Sequence, residues 1–392
     1  MRVLYITTAF ARHERDHITP WLTETIKVLR KKGVEVEVFT SSYKGLGNQT
    51  VCGIPVYRFR YFLKNLETLT HEEAVPERIR RKKIFLFLLP FYLGSGIIHA
   101  FLHSRRKKYD IIHVHWPFPH ILFALPWKLK KVPVISTFHG VEIMWIKKKM
   151  PYLLPFIKFS IRISHAVTCN SSYTRSLLLG VEKSKEVKII PFGSGIEVKE
   201  KKKIKRKIPS VLFVGRLVER KGVTYLLKAW RKVRERKHAH LFIVGDGPLR
   251  KELEREAEEL GIDDSVTFTG YITNEELDRM YRSSEVFVLP ACVDSKGDTE
   301  GLGVVLIEAL SREIPVVACA VGGIVDIVKH MRTGILVPEK NPDALADAIL
   351  TLLENKKLAS RLAKEGKRWV EENFSWEAVA KKLISLYHSI SG

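Results

Sequence analysis

The chain opens in the same way twice. Arg2–Thr7 reads Arg-Val-Leu-Tyr-Ile-Thr, and Ser210–Gly215 reads Ser-Val-Leu-Phe-Val-Gly. Each is a short apolar, β-rich run followed by a loop and then a segment with helical spacing. After the first, Pro20–Gly33 carries a helix pattern with Gly33 as its expected C-cap, and Val34–Thr40 is the next strand. After the second, Tyr225–Arg236 reads as a helix and His240–Val244 as a strand ending at Gly245-Asp246-Gly247-Pro248. Lys251–Leu260 is a charged helix closed by Gly261, and Asn341-Pro342 is a good helix start, with Asn as cap and Pro at the first position. Strands alternating with helices of this length imply parallel sheets with right-handed crossovers. Two such series in 392 residues exceed one ordinary core. The expected class is therefore α/β with two Rossmann-like domains. A NAD-dependent dehydrogenase would fit that class, but no G-x-G-x-x-G opens either half.

Charge divides the chain at the same place. Residues 1–193 hold 32 Lys+Arg against 13 Asp+Glu, a balance of +19, whereas residues 211–392 hold 27 against 28. Lys199–Lys207, almost all basic, has no core pattern and precedes Pro209 and the second opening strand, so it reads as a solvated linker. A basic first half attracts polyanions: an anionic membrane surface, a nucleic acid or a phosphorylated acceptor. Cys52, Cys169, Cys292 and Cys319 are scattered without metal-like or redox spacing, which suggests reduced thiols and a cytosolic setting. MRVLYITTAF is too short an apolar run for a secretion signal and reads as a first strand. Gln49 is the only glutamine among abundant Lys, Arg and Glu, which points to a thermophilic source.

Ile84–Leu102 contains no Asp, Glu, Lys or Arg, is close to membrane-spanning length, and follows the basic run at 78–83. Pro90, Gly94, Ser95 and Gly96 interrupt it. The first expectation is a buried helix or two shorter ones; the second is a partly exposed helix lying in a membrane interface with basic flanks on the headgroups, and a true span comes last. Trp145–Lys158 repeats the basic-plus-aromatic theme.

Two glutamates, Glu300 and Glu308, flank Gly301-Leu302-Gly303 and the start of an apolar helix pattern. One carboxylate would stand in a loop and the other two turns down a helix. A helix N-terminus binds phosphate and a carboxylate accepts both hydrogens of a vicinal diol, so a sugar nucleotide would satisfy both. A solvated loop charge and an exposed helix residue are the bland alternatives. Gly215 at a strand end permits close backbone approach, with Arg216 and Lys221 as two cations able to hold a diphosphate; a basic surface turn is the alternative. Gly245–Pro248 is by itself a tight turn. His113 and His115 are expected to divide between the core and the cleft, leaving His115 as a minor candidate.

The ordered set VGRLVERKG, VGDGP, VTFTGYI, EGLGVVLIEAL, IPVVA, VGGIVDIV and TGILVP resembles retaining glycosyltransferases of the GT-B fold, and in particular glycosyltransferase family four. It covers essentially all of residues 211–392. Asp110–Trp116, Ser136–Gly140, Ile190–Gly193 and Phe374–Trp376 carry a looser likeness elsewhere. The resemblance implies two Rossmann-like domains facing each other across a cleft. The N-terminal domain, residues 1–195, would bind acceptor; 196–209 is a basic linker; the C-terminal domain, 210–375, would bind the nucleotide sugar. The last helix, 376–392, would cross back onto the first domain. On this likeness Arg216 and Lys221 neutralise the donor diphosphate, Glu308 accepts the ribose hydroxyls and Glu300 holds a hydroxyl of the transferred sugar. Amides of Gly301, Leu302, Gly303 and Val304 meet sugar and phosphate, Gly215 and Gly245 approach the donor, and the backbone near Tyr271 frames the base. His139 sits near the anomeric carbon. Catalytic roles thus fall to His139, Arg216, Lys221 and Glu300.

The family often has a glycine pair where this chain has Thr8–Asp16, so the acceptor is left open; Arg12, His13 and Arg15 are candidates for an anionic one, such as a lipid phosphate. Ser311-Arg312-Glu313 replaces the usual small residues and is expected to have little consequence. The expected activity is retaining transfer of a sugar from a nucleoside diphosphate to an acceptor hydroxyl on a glycolipid, lipid-linked saccharide or polysaccharide precursor. It needs no cofactor and no metal, with the nucleoside-diphosphate sugar as a substrate. The chain would sit in the cytoplasm, peripheral on the inner face of the cell membrane, with no nucleic acid as partner. A sugar-nucleotide epimerase of the same fold and a basic nucleic-acid-binding protein are the alternatives.

Overall fold

A computed structural model describes residues 1–16, 18–72, 75, 78, 82, 84–193 and 203–391. Much of the basic run at 78–83, and residues 196–202 of the expected linker, lie outside these. The chain forms two compact units: residues 1–170, 174–193 and 376–392, and residues 171–173 with 194–375.

The described elements of the first unit are β1 (Arg2–Ile6), α1 (Pro20–Lys31), β2 (Glu35–Ser41), β3 (Gln49–Val51), β4 (Ile54–Phe59), α2 (Ile84–Arg106), β5 (Ile111–His115), α3 (Pro117–Leu129), β6 (Val134–Phe138), α4 (Val141–Lys149), α5 (Leu154–Ile163), β7 (Ala166–Cys169), α6 (Ser172–Leu179) and β8 (Val187–Ile189). The sheet runs β3-β4-β2-β1-β5-β6-β7-β8. Its inner strands are buried along nearly their whole length because helices cover both faces; Val3, Leu4, Tyr5 and Ile6 are all fully buried. Alternation along β1 sends Val3 and Tyr5 to one core and Leu4 and Ile6 to the other. The expectation of parallel strands fails at one edge: β3 and β4 pair antiparallel. Cys52 and Gly53 both have positive φ, as a two-residue hairpin turn requires.

Helix α2 departs from its first expectation. It is one helix, continuous through Pro90, Gly94 and Gly96. Phe85, Leu88, Tyr92, Gly96 and Ala100 form its buried stripe, and Gly96 leaves room for the Phe123 ring of α3. The opposite stripe is equally apolar but faces out: Phe87 is 54% and Ile98 59% exposed, with Ile84, Phe91, Phe101 and Leu102 beside them.

The second unit contains β9 (Ser210–Val214), α7 (Val223–Arg236), β10 (His240–Val244), α8 (Arg250–Glu259), β11 (Val266–Gly270), α9 (Asn274–Arg282), β12 (Val286–Leu289), α10 (Val304–Ser311), β13 (Val316–Cys319), α11 (Ile324–Ile327), β14 (Ile335–Val337), α12 (Pro342–Glu354) and α13 (Lys356–Phe374). Its strands lie in the order β11-β10-β9-β12-β13-β14, and all described pairings between them are parallel. The Asn341 side chain caps α12 by accepting from the Ala344 amide at 3.0 Å.

Helix α14 (Trp376–Ser391) belongs to the first unit. Val379, Ala380, Leu383, Leu386 and Tyr387 enter the core beside α1. Each contributes roughly 1–3 kcal/mol through burial. Gly193 is a glycine because the Trp376 ring occupies the space a side chain would need.

Candidate active site

The first unit carries a column of stacked histidines. His113 and His115 are two apart on β5 and therefore share a face, contrary to the expectation that they divide between core and cleft. Their rings stack at 4.5 Å, and His115 stacks on His139 at 5.5 Å with Nδ1 and Nε2 3.3 Å apart. His113 is fixed from below. Its Nδ1 bonds the Tyr387 hydroxyl of α14 at 2.8 Å, and Tyr387 in turn meets the Tyr5 hydroxyl at 2.6 Å. Trp21, Trp116 and Phe192 wall His139 at 5.2, 4.2 and 5.4 Å between ring centres.

Burial dominates the ionisation of this column. It holds His139 and His113 well below the usual imidazole range and brings His115 down to about 3, so all three are neutral. His139 Nδ1 and His115 Nε2 are buried without a hydrogen-bond partner among the described residues. A buried polar atom left unpaired is costly, which marks these two nitrogens as open to a ligand. Glu142, at the start of α4, accepts from the His139 amide at 2.9 Å; burial pushes its carboxyl up to about 7 against the pull of nearby backbone amides. Among the described residues no three His, Cys, Asp or Glu side chains gather as a metal site.

Of the acceptor candidates, Arg12 is already engaged. Its guanidinium pairs with Asp16 at 2.7 Å and lies over the Tyr43 ring, while His13 and Arg15 are exposed. Sequence reading missed the residue that holds this loop. Arg58, buried on β4, donates to the carbonyls of Phe10 and Ala11 at 3.3 and 2.6 Å. The signal was its register, since Arg58 shares the inward face of Ile54 and Val56.

In the second unit the loop after β9 and the turn after β10 pack backbone to backbone. A side chain at Gly245 would strike the Gly215 carbonyl, and one at Gly247 would strike Leu217, so these glycines are explained by close approach of the two loops. The turn Glu219–Lys221 is tied to the segment beyond β12 by Glu219, which accepts from the Ser295 amide and hydroxyl at 2.6 Å each. Lys221 is thereby brought onto Glu300. Its ammonium donates to Oε2, and Arg220 Nη1 reaches the same oxygen at 3.1 Å. Burial works against the charge on Glu300, but Lys221 and Arg220 prevail and hold its carboxyl below the usual range. Arg220 was not singled out from sequence. Arg216, on the loop after β9, is exposed, and Tyr271 is exposed just past Gly270.

The Glu300–Gly303 loop rests on Gly322 and Gly323, where any side chain would meet the carbonyls of Glu300 and Gly301. Leu302 is buried, and Gly303, at φ 90°, starts α10 so that Val304 stands in its first turn. Two turns on, Glu308 is buried and accepts from the Tyr281 hydroxyl at 2.9 Å. Burial pushes its carboxyl up to about 7, opposed by Tyr281 and Arg312.

Comparison with known proteins places this geometry. Residues 196–369 match the family description "Glycosyl transferases group 1", and residues 21–198 match "Glycosyltransferase Family 4". An uncharacterised glycosyltransferase of Methanocaldococcus jannaschii is 28% identical over 385 residues, covering 92% of this chain and 90% of that one. A GDP-mannose-dependent alpha-(1-6)-phosphatidylinositol monomannoside mannosyltransferase of Mycobacterium tuberculosis is 32% identical over 268 residues, covering 64% of this chain and 68% of the relative. Among solved structures, Anabaena HepE in complex with UDP and glucose superposes with a TM-score of 0.68 at 16% identity, each chain fully covered. Two α/β units, each built on a largely parallel sheet, are those of a GT-B glycosyltransferase. The chain belongs to glycosyltransferase family 4, with a C-terminal half of the group 1 type.

Proposed function

We propose that the enzyme is a retaining, metal-independent hexosyltransferase that moves a sugar from a nucleoside diphosphate to the hydroxyl of a lipid-linked or saccharide acceptor. The observation that carries the reading is the Glu300 carboxylate, kept ionised by Lys221 and Arg220 on the loop leading to Glu308. Two relatives support a nucleotide-sugar donor: one is named for GDP-mannose and the other was crystallised with UDP and glucose. Their bases differ, so the proposal stops at the nucleoside diphosphate.

In this reading Arg216 and Lys221 take the diphosphate, together with the amides of Gly301 to Val304. As Lys221 turns toward phosphate, Arg220 stays on Glu300 and preserves its charge for a sugar hydroxyl. His139, neutral and with a free nitrogen, hydrogen-bonds the sugar. The bond from the anomeric carbon to the diphosphate oxygen breaks while the acceptor oxygen bonds the same face. The acceptor proton passes to the departing phosphate, so no side-chain nucleophile, cofactor or metal is needed.

The acceptor side of the proposal is an anionic membrane surface on the cytoplasmic side. The outward stripe of α2 is apolar where a solvated helix is polar, and Arg105, Arg106, Lys107 and Lys108 follow it. The lone Gln49 and the many surface ion pairs fit a thermophilic source; a thermal midpoint below about 65 °C would contradict that. The deciding experiment is a screen of UDP- and GDP-sugars by thermal shift, then turnover with lipid and saccharide acceptors in EDTA. Transfer with retention at the anomeric carbon is expected. Inversion, loss of activity in EDTA, or release of an epimerised sugar nucleotide without acceptor product would each overturn the proposal.

A further inference from the structure

The departure Ser311-Arg312-Glu313 was expected to matter little, yet Arg312 is among the most deeply placed cations of the second unit, its side chain 1% exposed. It lies one turn past Glu308, and its guanidinium makes three contacts. Nε pairs with Asp278 of α9 at 3.0 Å, Nη1 donates to the backbone carbonyl of Glu308 at 3.1 Å, and the plane sits 5.1 Å from the centre of the Tyr281 ring. Asp278 is itself steadied by Arg282, four residues on, at 2.7 Å. Tyr281, fully buried, delivers its hydroxyl to Glu308 Oε2.

We infer that Tyr281 and Arg312 are positioning residues that aim the Glu308 carboxylate at a nucleotide ribose. This rests on the role as ribose ligand that the family resemblance implies for Glu308. An ionised carboxylate only accepts hydrogen bonds, and its two oxygens offer about four sites. Tyr281 fills one on Oε2, and no described residue bonds Oε1. What remains faces a partner with two donors, which a vicinal diol supplies. Arg312 fixes the direction in two ways: it clamps the backbone from which Glu308 springs, and it stacks on the ring that carries the donor. Because the anchor Asp278 lies on α9 and Glu308 on α10, the clamp also locks the two helices in register. Burial and the neighbouring Glu308 keep the Tyr281 phenol protonated, as a donor must be.

The test compares affinity for UDP, GDP and ADP with affinity for their 2′,3′-dideoxy counterparts, by calorimetry on the full chain. The wild type should prefer the ribonucleotide that binds best by about tenfold or more, since two charge-assisted hydrogen bonds are lost with the diol. Glu308→Gln should reduce that preference. Tyr281→Phe should bring it to about threefold or less while leaving the dideoxy affinity unchanged. Arg312→Lys, which keeps the charge but loses the fork, should fall between; it also carries the test if Tyr281→Phe fails to fold. An equal loss for ribo and dideoxy ligands in both variants would show a merely structural role and overturn the inference. A wild type that binds both ligands alike, or binds none of the three nucleotides, would overturn the reading of Glu308 and this inference with it. A wild type that discriminates while both variants keep its full preference would overturn the positioning role alone.

Discussion

Lys221 and Arg220 converge on a single oxygen of Glu300, so that two residues expected to serve different parts of a donor, diphosphate and sugar, are ion-paired to each other. The pairing solves a problem of burial. A carboxylate this enclosed would take up a proton without cations beside it, and a buried lysine without an anion would be equally costly.

Removing Lys221 should therefore affect both ends of the donor. Lys221→Ala is expected to lower kcat/KM by about 30–100-fold, or 2–3 kcal/mol of transition-state stabilisation, and Arg216→Ala by a similar factor. The two variants should differ in stability. Arg216 is exposed and its loss should leave the unfolding midpoint in urea unchanged, whereas loss of Lys221 should lower stability by about 1–3 kcal/mol. Unchanged turnover in both would remove the diphosphate assignment.

Glu308 makes stability and nucleotide binding respond to pH in opposite directions. Its folded value, about 7, lies above the ordinary 4.5 because burial outweighs Tyr281 and Arg312. Between these values the folded state binds the extra proton, so this group favours folding most below pH 4.5. That contribution declines up to about pH 7 and is flat beyond. Nucleotide affinity should instead rise through about pH 7 as the carboxylate forms. Glu308→Gln should remove the slope in nucleotide affinity and flatten the slope in stability, leaving the part due to Glu142, whose carboxyl burial also raises to about 7. Denaturant titrations and calorimetry from pH 5 to 8, compared between the two proteins, read this directly; parallel curves would contradict it.

His139 should matter to the chemical step without contributing to nucleotide affinity. His139→Ala is expected to reduce kcat about 100–1,000-fold, the scale of losing one well-placed hydrogen-bonding group at a developing charge. The dissociation constant for a nucleoside diphosphate should not move. Because burial keeps the imidazole neutral, no acid limb near pH 6.5 should belong to it. A loss of nucleotide affinity matching the loss in rate would reassign this histidine.

The outward stripe of α2 predicts binding to vesicles. The wild type should co-sediment with phosphatidylglycerol vesicles at low salt and be largely released at high salt. Phe87→Ser with Phe91→Ser should weaken binding about tenfold or more at every salt concentration, since each ring loses roughly 1.5–3 kcal/mol of burial. Vesicle binding that ignores these substitutions would detach the stripe from the membrane proposal.

Much of the fold was legible because its signals are short-range. Periodicity placed His240–Val244 residue for residue and β1, β2 and β9 to within a residue, and Asn341-Pro342 announced its helix through a cap that spans three positions. The β3–β4 hairpin was missed although Cys52-Gly53 is a turn signal, because the runs beside it are short. At the site the glycines and the two glutamates could be found, since a loop that must approach another backbone writes its need into the chain.

The sequence alone determined two α/β units, a basic first half and a family resemblance that singles out Arg216, Lys221, Glu300 and Glu308. Only the tertiary structure decided how those residues are held. Arg220 reaches Glu300 across eighty positions, Tyr281 reaches Glu308 across twenty-seven, and Arg58 grips a loop more than forty residues earlier. Likewise the sequence made α2 apolar all round, but which stripe is buried depended on where Phe123 and the sheet lie. Periodicity is local, set by backbone geometry within a turn or two. The partner of a buried charge is set by which loops the sheet order brings together, and that information is spread over the whole chain.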